Sequence, residues 1–203
     1  MSVNRKISRT GLLIFSFVLS LIGSSAGESS ARQSQVLDLN GRAVEPFQLT
    51  DAQALVLVFL RTDCPISNRY APEVKRLSQK FSGHRVTFRL IYPGADETVE
   101  AIRQHVKDYD YSIEPLRDPQ HELVKLTGVE VTPETAVFVP DKSARPQKWR
   151  MVYCGRIDDR YVAFGKMRPA PTVRDLEQVL AAIAAGREVK TKVTKAVGCF
   201  ISS

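Results

Sequence analysis

The sequence predicts an α/β domain in which helices cover both faces of a central sheet, and three observations predict it. Residues 54–60, ALVLVFL, form a nearly continuous apolar run rich in Val and Leu, the pattern of a strand buried on both faces. Directly after it, Ile66, Tyr70, Val74, Leu77 and Phe81 recur at intervals of four or three, one stripe along an amphipathic helix. Strand-like and helix-like segments then alternate, which implies parallel neighbours joined by right-handed crossovers.

Taken in order, residues 36–47 read as a leading hairpin, turned at Asn40-Gly41. The buried strand at 54–60 and the striped helix follow. Residues 86–92, VTFRLIY, make the next strand, closed by Pro93-Gly94, and a helix over 97–108 places Val99, Ile102 and Val106 on one face. A short strand at 114–117, a helix at 121–127 and a strand at 135–139 come next. A loop at 141–147, a strand at 148–153 and a helix at 172–185 complete the domain. Residues 186–203 form an extended tail in which Val189, Thr191 and Val193 alternate, with no pattern that assigns it to a layer.

The chain opens with a basic start, an apolar run at 11–23 and small residues at Ser24, Ser25 and Ala26, the order of a secretory signal peptide cleaved after Ala26. The run is shorter than the roughly 20 residues a membrane-spanning helix needs. The expected organisation is therefore a signal peptide at 1–26, a polar lead at 27–34, one domain at 35–185 and the tail, with the mature protein periplasmic or extracellular and without a stable membrane span. Removing Arg5, Lys6 and Arg9 with the leader lowers the net charge from +7 to +4. The only dense basic stretch is Lys190, Lys192 and Lys195, which reads as a solvated tail, so no nucleic-acid partner is expected. Three cysteines are too few for a disulfide framework, and an odd number in an exported chain leaves at least one thiol unpaired or reactive.

Cys64 stands where chemistry is expected. It follows a buried strand and precedes Pro65, which suits a first helical turn because it needs no N–H partner there. Free backbone N–H groups and the helix dipole at that point favour the thiolate.

Cys64-Pro-Ile-Ser67-Asn-Arg-Tyr-Ala71-Pro72 resembles the thioredoxin active-site segment, in which Cys-x-x-Cys is followed after three residues by Ala-Pro. Residues 128–141, with Thr132-Pro133 ahead of a strand, are similar to the stretch that carries the thioredoxin cis proline. The extra strand and helix near 86–118 and the leading hairpin look more like the broader redoxin group, which includes the alkyl hydroperoxide reductase/thiol-specific antioxidant proteins. The resemblance implies a thioredoxin-like fold with a central mixed sheet. It also implies a cis Pro133 that lets Thr132 present backbone groups to an extended substrate beside the thiol. The implied activity is thiol-disulfide exchange with protein or small-molecule thiols and disulfides, an external electron donor and no cofactor.

Two departures limit that implication. Ser67 replaces the second cysteine, so Cys64 cannot close a local disulfide, and resolution falls to Cys154, Cys199 or an external thiol. Peroxiredoxins place Pro-x-x-x-Thr-x-x-Cys before the reactive thiol, and here those positions are Leu57 and Arg61, which argues against efficient peroxidase chemistry. Asn68 occupies the second sulfur position of a copper-binding Cys-x-x-x-Cys, and His84, His105 and His121 lack metal spacing, so no metal site is expected and each His reads as a surface or loop residue. Cys199, after Gly198 in the tail, is the candidate resolving thiol if the tail folds back. A Cys154–Cys199 disulfide or an isolated terminal thiol are the alternatives. The charged loop at 156–161 reads as a solvated turn. Three functions remain open: an exported thiol-disulfide oxidoreductase, a peroxide-reducing antioxidant using Cys64, and a binding module that keeps the groove without turnover.

Overall fold

A computed structural model describes residues 35–144 and 148–202. The leader and the polar lead expected at 1–34 lie outside the described residues, as do 145–147 of the expected loop. Among the described residues no helix is long and apolar enough to cross a membrane.

A six-stranded sheet runs through the molecule. Its strands are β1 (Ala54–Phe59), β2 (Val86–Tyr92), β3 (Glu114–Arg117), β5 (Glu134–Asp141), β6 (Lys148–Gly155) and β9 (Lys192–Val193), ordered β3-β2-β1-β5-β6-β9. The strand β4 (Val131–Thr132) lies outside this sheet. The first three strands are mutually parallel, as strand–helix alternation predicts, while β5 is antiparallel to β1 and β6 to β5. The sheet is mixed and the fold is thioredoxin-like.

Both faces of β1 are buried, which explains its unbroken apolar sequence. Ala54, Val56 and Val58 face one core together with the stripe of α1 (Pro65–Phe81), with Ile102 of α2 (Val99–Asp108), and with Leu176, Leu180 and Ile183 of α4 (Asp175–Ala184). Leu55, Leu57 and Phe59 face a second core with Leu123 of α3 (Glu122–Thr127), Val36 and Phe138. Burying a side chain of this size contributes about 1.5–3 kcal/mol, so the seven wholly buried residues at 54–60 anchor both layers.

Several expectations are corrected. Residues 36–47 make a bridge between Leu37 and Ala43 rather than a hairpin of two strands, because the Asp38 carboxylate accepts from Asn40 and Arg42 N–H groups and closes the turn on itself. α2 begins after Thr98, whose hydroxyl caps Ala101, and Glu97 stays outside it. α4 begins three residues later than expected, at Asp175. The loop at 156–161 is not a solvated turn: Ile157, Asp158 and Asp159 are buried. Asp159 accepts from the Thr172 hydroxyl and from the Thr172 and Val173 N–H groups, which, with the Thr172 hydroxyl first, hold its carboxyl down at about 2. After it, β7 (Tyr161–Ala163) and β8 (Lys166–Met167) form a small hairpin exposing Val162, Phe164 and Met167.

The tail belongs to the fold. β9 pairs parallel with β6, Lys192 binds the Asp175 carboxylate at 2.6 Å, and Thr194 accepts from Tyr153 or donates to it at 2.7 Å. Gly155 is needed for this approach, since its φ is +142° and an added Cβ would sit 2.1 Å from the Thr194 carbonyl oxygen. Farther on, β10 (Cys199–Phe200) pairs antiparallel with β4.

Candidate active site

Cys64 is the N-cap of α1. Its sulfur accepts from the Ser67 N–H at 3.5 Å, and Pro65, exposed, takes the first helical position. As a thiol, Cys64 donates to the Thr132 carbonyl oxygen at 3.0 Å, and the Thr132–Pro133 bond is cis. Cys64, Ser67, Thr132 and Pro133 are all buried.

β10 brings in the third participant. Cys199 stands directly opposite Thr132, the residue whose carbonyl oxygen receives the Cys64 thiol, so β10 sets the two cysteines side by side. Burial pushes the Cys64 thiol up, but the Cys199 thiol and then Ser67 donate toward the sulfur and outweigh it, so Cys64 ends below the ordinary thiol range. Burial and the neighbouring Cys64 sulfur push Cys199 up to about 12. Of the two thiols, Cys64 is therefore the one that ionises first. All three cysteines are free thiols, and Cys154 is on the other core face, its thiol directed at the Thr127 carbonyl and raised to about 12 by burial and then by Glu134. Of the sequence candidates, the fold thus gathers Cys64, Pro65, Ser67, Thr132, Pro133 and Cys199 around one point and leaves Cys154 apart.

Residues that sequence reasoning missed hold this point rigid. The buried Glu97 carboxylate accepts from Thr62 N at 2.7 Å and from Gly94 N at 3.2 Å, tying the turn before Cys64 to the loop after β2, and burial raises its pKa. Arg61 spans Asp63 and Asp96, so its guanidinium is committed to that same clasp. His105 is buried, not on the surface as expected. Asn68 gives its amide N–H to Thr62 O and so offers its oxygen to His105 Nε2 at 2.8 Å, which makes Nε2 the protonated nitrogen and leaves Nδ1 to accept from Tyr92 at 2.9 Å. Burial lowers the His105 pKa, consistent with a neutral ring. Deeper along α1, the Tyr70 hydroxyl donates to the buried Asp158 carboxylate. The Ser67 hydroxyl oxygen is buried without a partner of ordinary hydrogen-bond geometry, which leaves it free to turn its proton to the adjacent sulfur.

In this thioredoxin-like fold a helix-capping cysteine thus faces a cis-proline strand. The chain belongs to the AhpC/TSA family, whose model matches residues 28–146. It is similar in fold to a hypothetical protein of Sinorhizobium meliloti 1021, with 24% identity over 82% of this chain and 88% of the other at a TM-score of 0.66. It is also similar to an uncharacterized conserved protein of Geobacillus kaustophilus, with 22% identity over 84% and 90% at a TM-score of 0.63. A secreted Mycobacterium tuberculosis disulfide oxidoreductase aligns at 18% identity over 74% and 93%, with a TM-score of 0.48. No curated protein matches the chain.

Proposed function

We propose that this redoxin-family protein is an exported thiol-disulfide oxidoreductase in which Cys64 is the nucleophile and Cys199 the resolving thiol. The observation that carries the reading is that the β10–β4 ladder seats Cys199 opposite Thr132, whose carbonyl oxygen receives the Cys64 thiol. The Cys64 thiolate attacks one sulfur of a substrate disulfide, and the other leaves as a thiolate. Once Cys64 is in a mixed disulfide it no longer holds charge, so its part of the rise at Cys199 falls away, burial's part stays, and the Cys199 thiol ionises more readily than before. Cys199 then attacks the Cys64 sulfur, expels the substrate as a dithiol and leaves a Cys64–Cys199 disulfide. An external dithiol reopens it with two electrons. Ser67 supports the Cys64 anion, and Thr132 with Pro133 aligns the substrate. Export is supported by the basic, apolar and small-residue order of residues 1–26.

The peroxidase alternative gains no support at the positions a peroxide would use, because Leu57 is wholly buried in β1 and Arg61 is held by two aspartates. The test is non-reducing peptide mass spectrometry of the oxidised protein together with insulin reduction by the wild type, Cys64→Ser and Cys199→Ser. A Cys64–Cys199 disulfide, with turnover lost in Cys64→Ser, is expected. A Cys154–Cys199 bridge, or insulin reduction unchanged in Cys64→Ser, overturns the mechanism.

A further inference from the structure

The edge beside Cys64 is already occupied by the chain itself. β10 lies antiparallel on β4, Ile201 N–H donates to Glu130 O at 3.0 Å, and Thr132 Oγ1 faces the Cys199 carbonyl at 3.5 Å. This is how an extended peptide adds to a sheet edge, with main-chain bonds giving affinity and side-chain positions giving selectivity. The residue before the cysteine meets a hard limit. A Cβ on Gly198 would sit 2.2 Å from the Thr132 carbonyl oxygen, 2.6 Å from its carbon and 3.2 Å from the Pro133 nitrogen. All three atoms are backbone, and that same carbonyl receives the Cys64 thiol, so no rotamer change makes room. On the other side of the cysteine the limit is absent, since Phe200 is 80% exposed.

We infer that the edge formed by residues 130–132 is a peptide-docking strand selective for a partner segment with glycine immediately before its reactive cysteine, and that the tail at 197–201 is its resident competitor. This rests on the proposed nucleophilic role of Cys64. The partner is an oxidised protein presenting an extended Gly-Cys segment, with any residue tolerated after the cysteine. Cys64 attacks the partner cysteine sulfur, the partner's other sulfur leaves as a thiolate that takes up a proton from water, and the product is a Cys64–partner mixed disulfide.

The experiment uses the full chain carrying Cys199→Ser, which keeps the tail but removes resolution. Two synthetic peptides, AVGCFIS and AVACFIS, each with its cysteine as a 2-thiopyridyl disulfide, are mixed with it, and released thiopyridone and the Cys64 adduct mass are followed. A small aromatic disulfide is the control for Cys64 itself. Capture of the glycine peptide at least tenfold faster than the alanine peptide is expected. Adding Ile201→Pro, which removes the tail's N–H donor to Glu130, is expected to speed capture of the glycine peptide several-fold. Equal rates for the two peptides overturn glycine selectivity, and no capture of either while the small disulfide reacts overturns the docking strand itself. An unchanged rate with Ile201→Pro overturns the tail as competitor. Failure of Cys64 to react with the small disulfide as well overturns the nucleophile and the inference with it.

Discussion

Replacing Gly198 with alanine should weaken the Cys64–Cys199 disulfide by a measurable amount. The new Cβ starts 2.2 Å from Thr132 O, where ordinary contact begins near 3.4 Å, so the tail must shift by about 1 Å. The reduced protein can relieve this by letting β10 lift, at the expense of a few hydrogen bonds worth about 1 kcal/mol each. The oxidised protein cannot, because the bond pins Cys199 beside Cys64. The penalty therefore falls mainly on the disulfide form. Overpacking against rigid backbone costs about 1–3 kcal/mol, which is roughly a 5- to 150-fold loss in the equilibrium constant for disulfide formation. In potential, this is a shift of about 20–65 mV toward easier reduction. Equilibration of wild type and Gly198→Ala in graded glutathione buffers, with acid quenching and mass spectrometry, measures it. A variant whose midpoint lies within a few millivolts of wild type would refute the argument that β10 must sit tight on Thr132 for the sulfurs to meet.

Other consequences follow from the same geometry. Removing the Cys199 donor with Cys199→Ala should raise the Cys64 pKa, seen as an iodoacetamide reaction profile displaced to higher pH, whereas Cys154, raised to about 12, should stay unreactive at neutral pH in the folded protein. Tyr70→Phe removes a buried hydrogen bond to Asp158 and should cost about 1–3 kcal/mol, read as a thermal midpoint lowered by several degrees. Glu177, held by Arg76 first and also by Lys80, has its carboxyl pKa lowered from an ordinary 4.5 to about 2. Its contribution to stability is therefore full above about pH 4.5 and lost as pH falls toward 2, and Glu177→Gln should flatten the acid limb of a denaturation profile over that window.

What the sequence made legible was local or periodic. The stripe from Ile66 to Phe81 and the two-faced run at 54–60 each encode their burial in spacing alone, and Cys64-Pro65 encodes a helix start. Thr132-Pro133 was readable because two separated segments agreed in order. Contacts between distant residues left no such trace. The Tyr70–Asp158 bond spans 88 residues, and two adjacent aspartates in a charged run look solvated until the fold surrounds them with Thr172, Val173 and Tyr70. His105 has the wrong spacing for a metal, and only the pairing of Asn68 with Thr62 reveals why a histidine is kept there. The tail has too few apolar residues to announce strands, because two-residue ladders are held by backbone bonds and by Thr194 rather than by side-chain burial.

The anchoring of the tail at Thr194 gives Cys199 a leash. Four residues lie between that anchor and the cysteine, five Cα steps, so a released Cys199 can travel no more than about 18 Å before the chain is taut. Its local concentration near Cys64 then stays on the order of millimolar or above even when β10 has lifted. Recapture is fast and intramolecular, whereas any outside thiol arrives by diffusion. A mixed disulfide on Cys64 would accordingly be short-lived, and a partner that needs time there must hold the leash aside with contacts of its own.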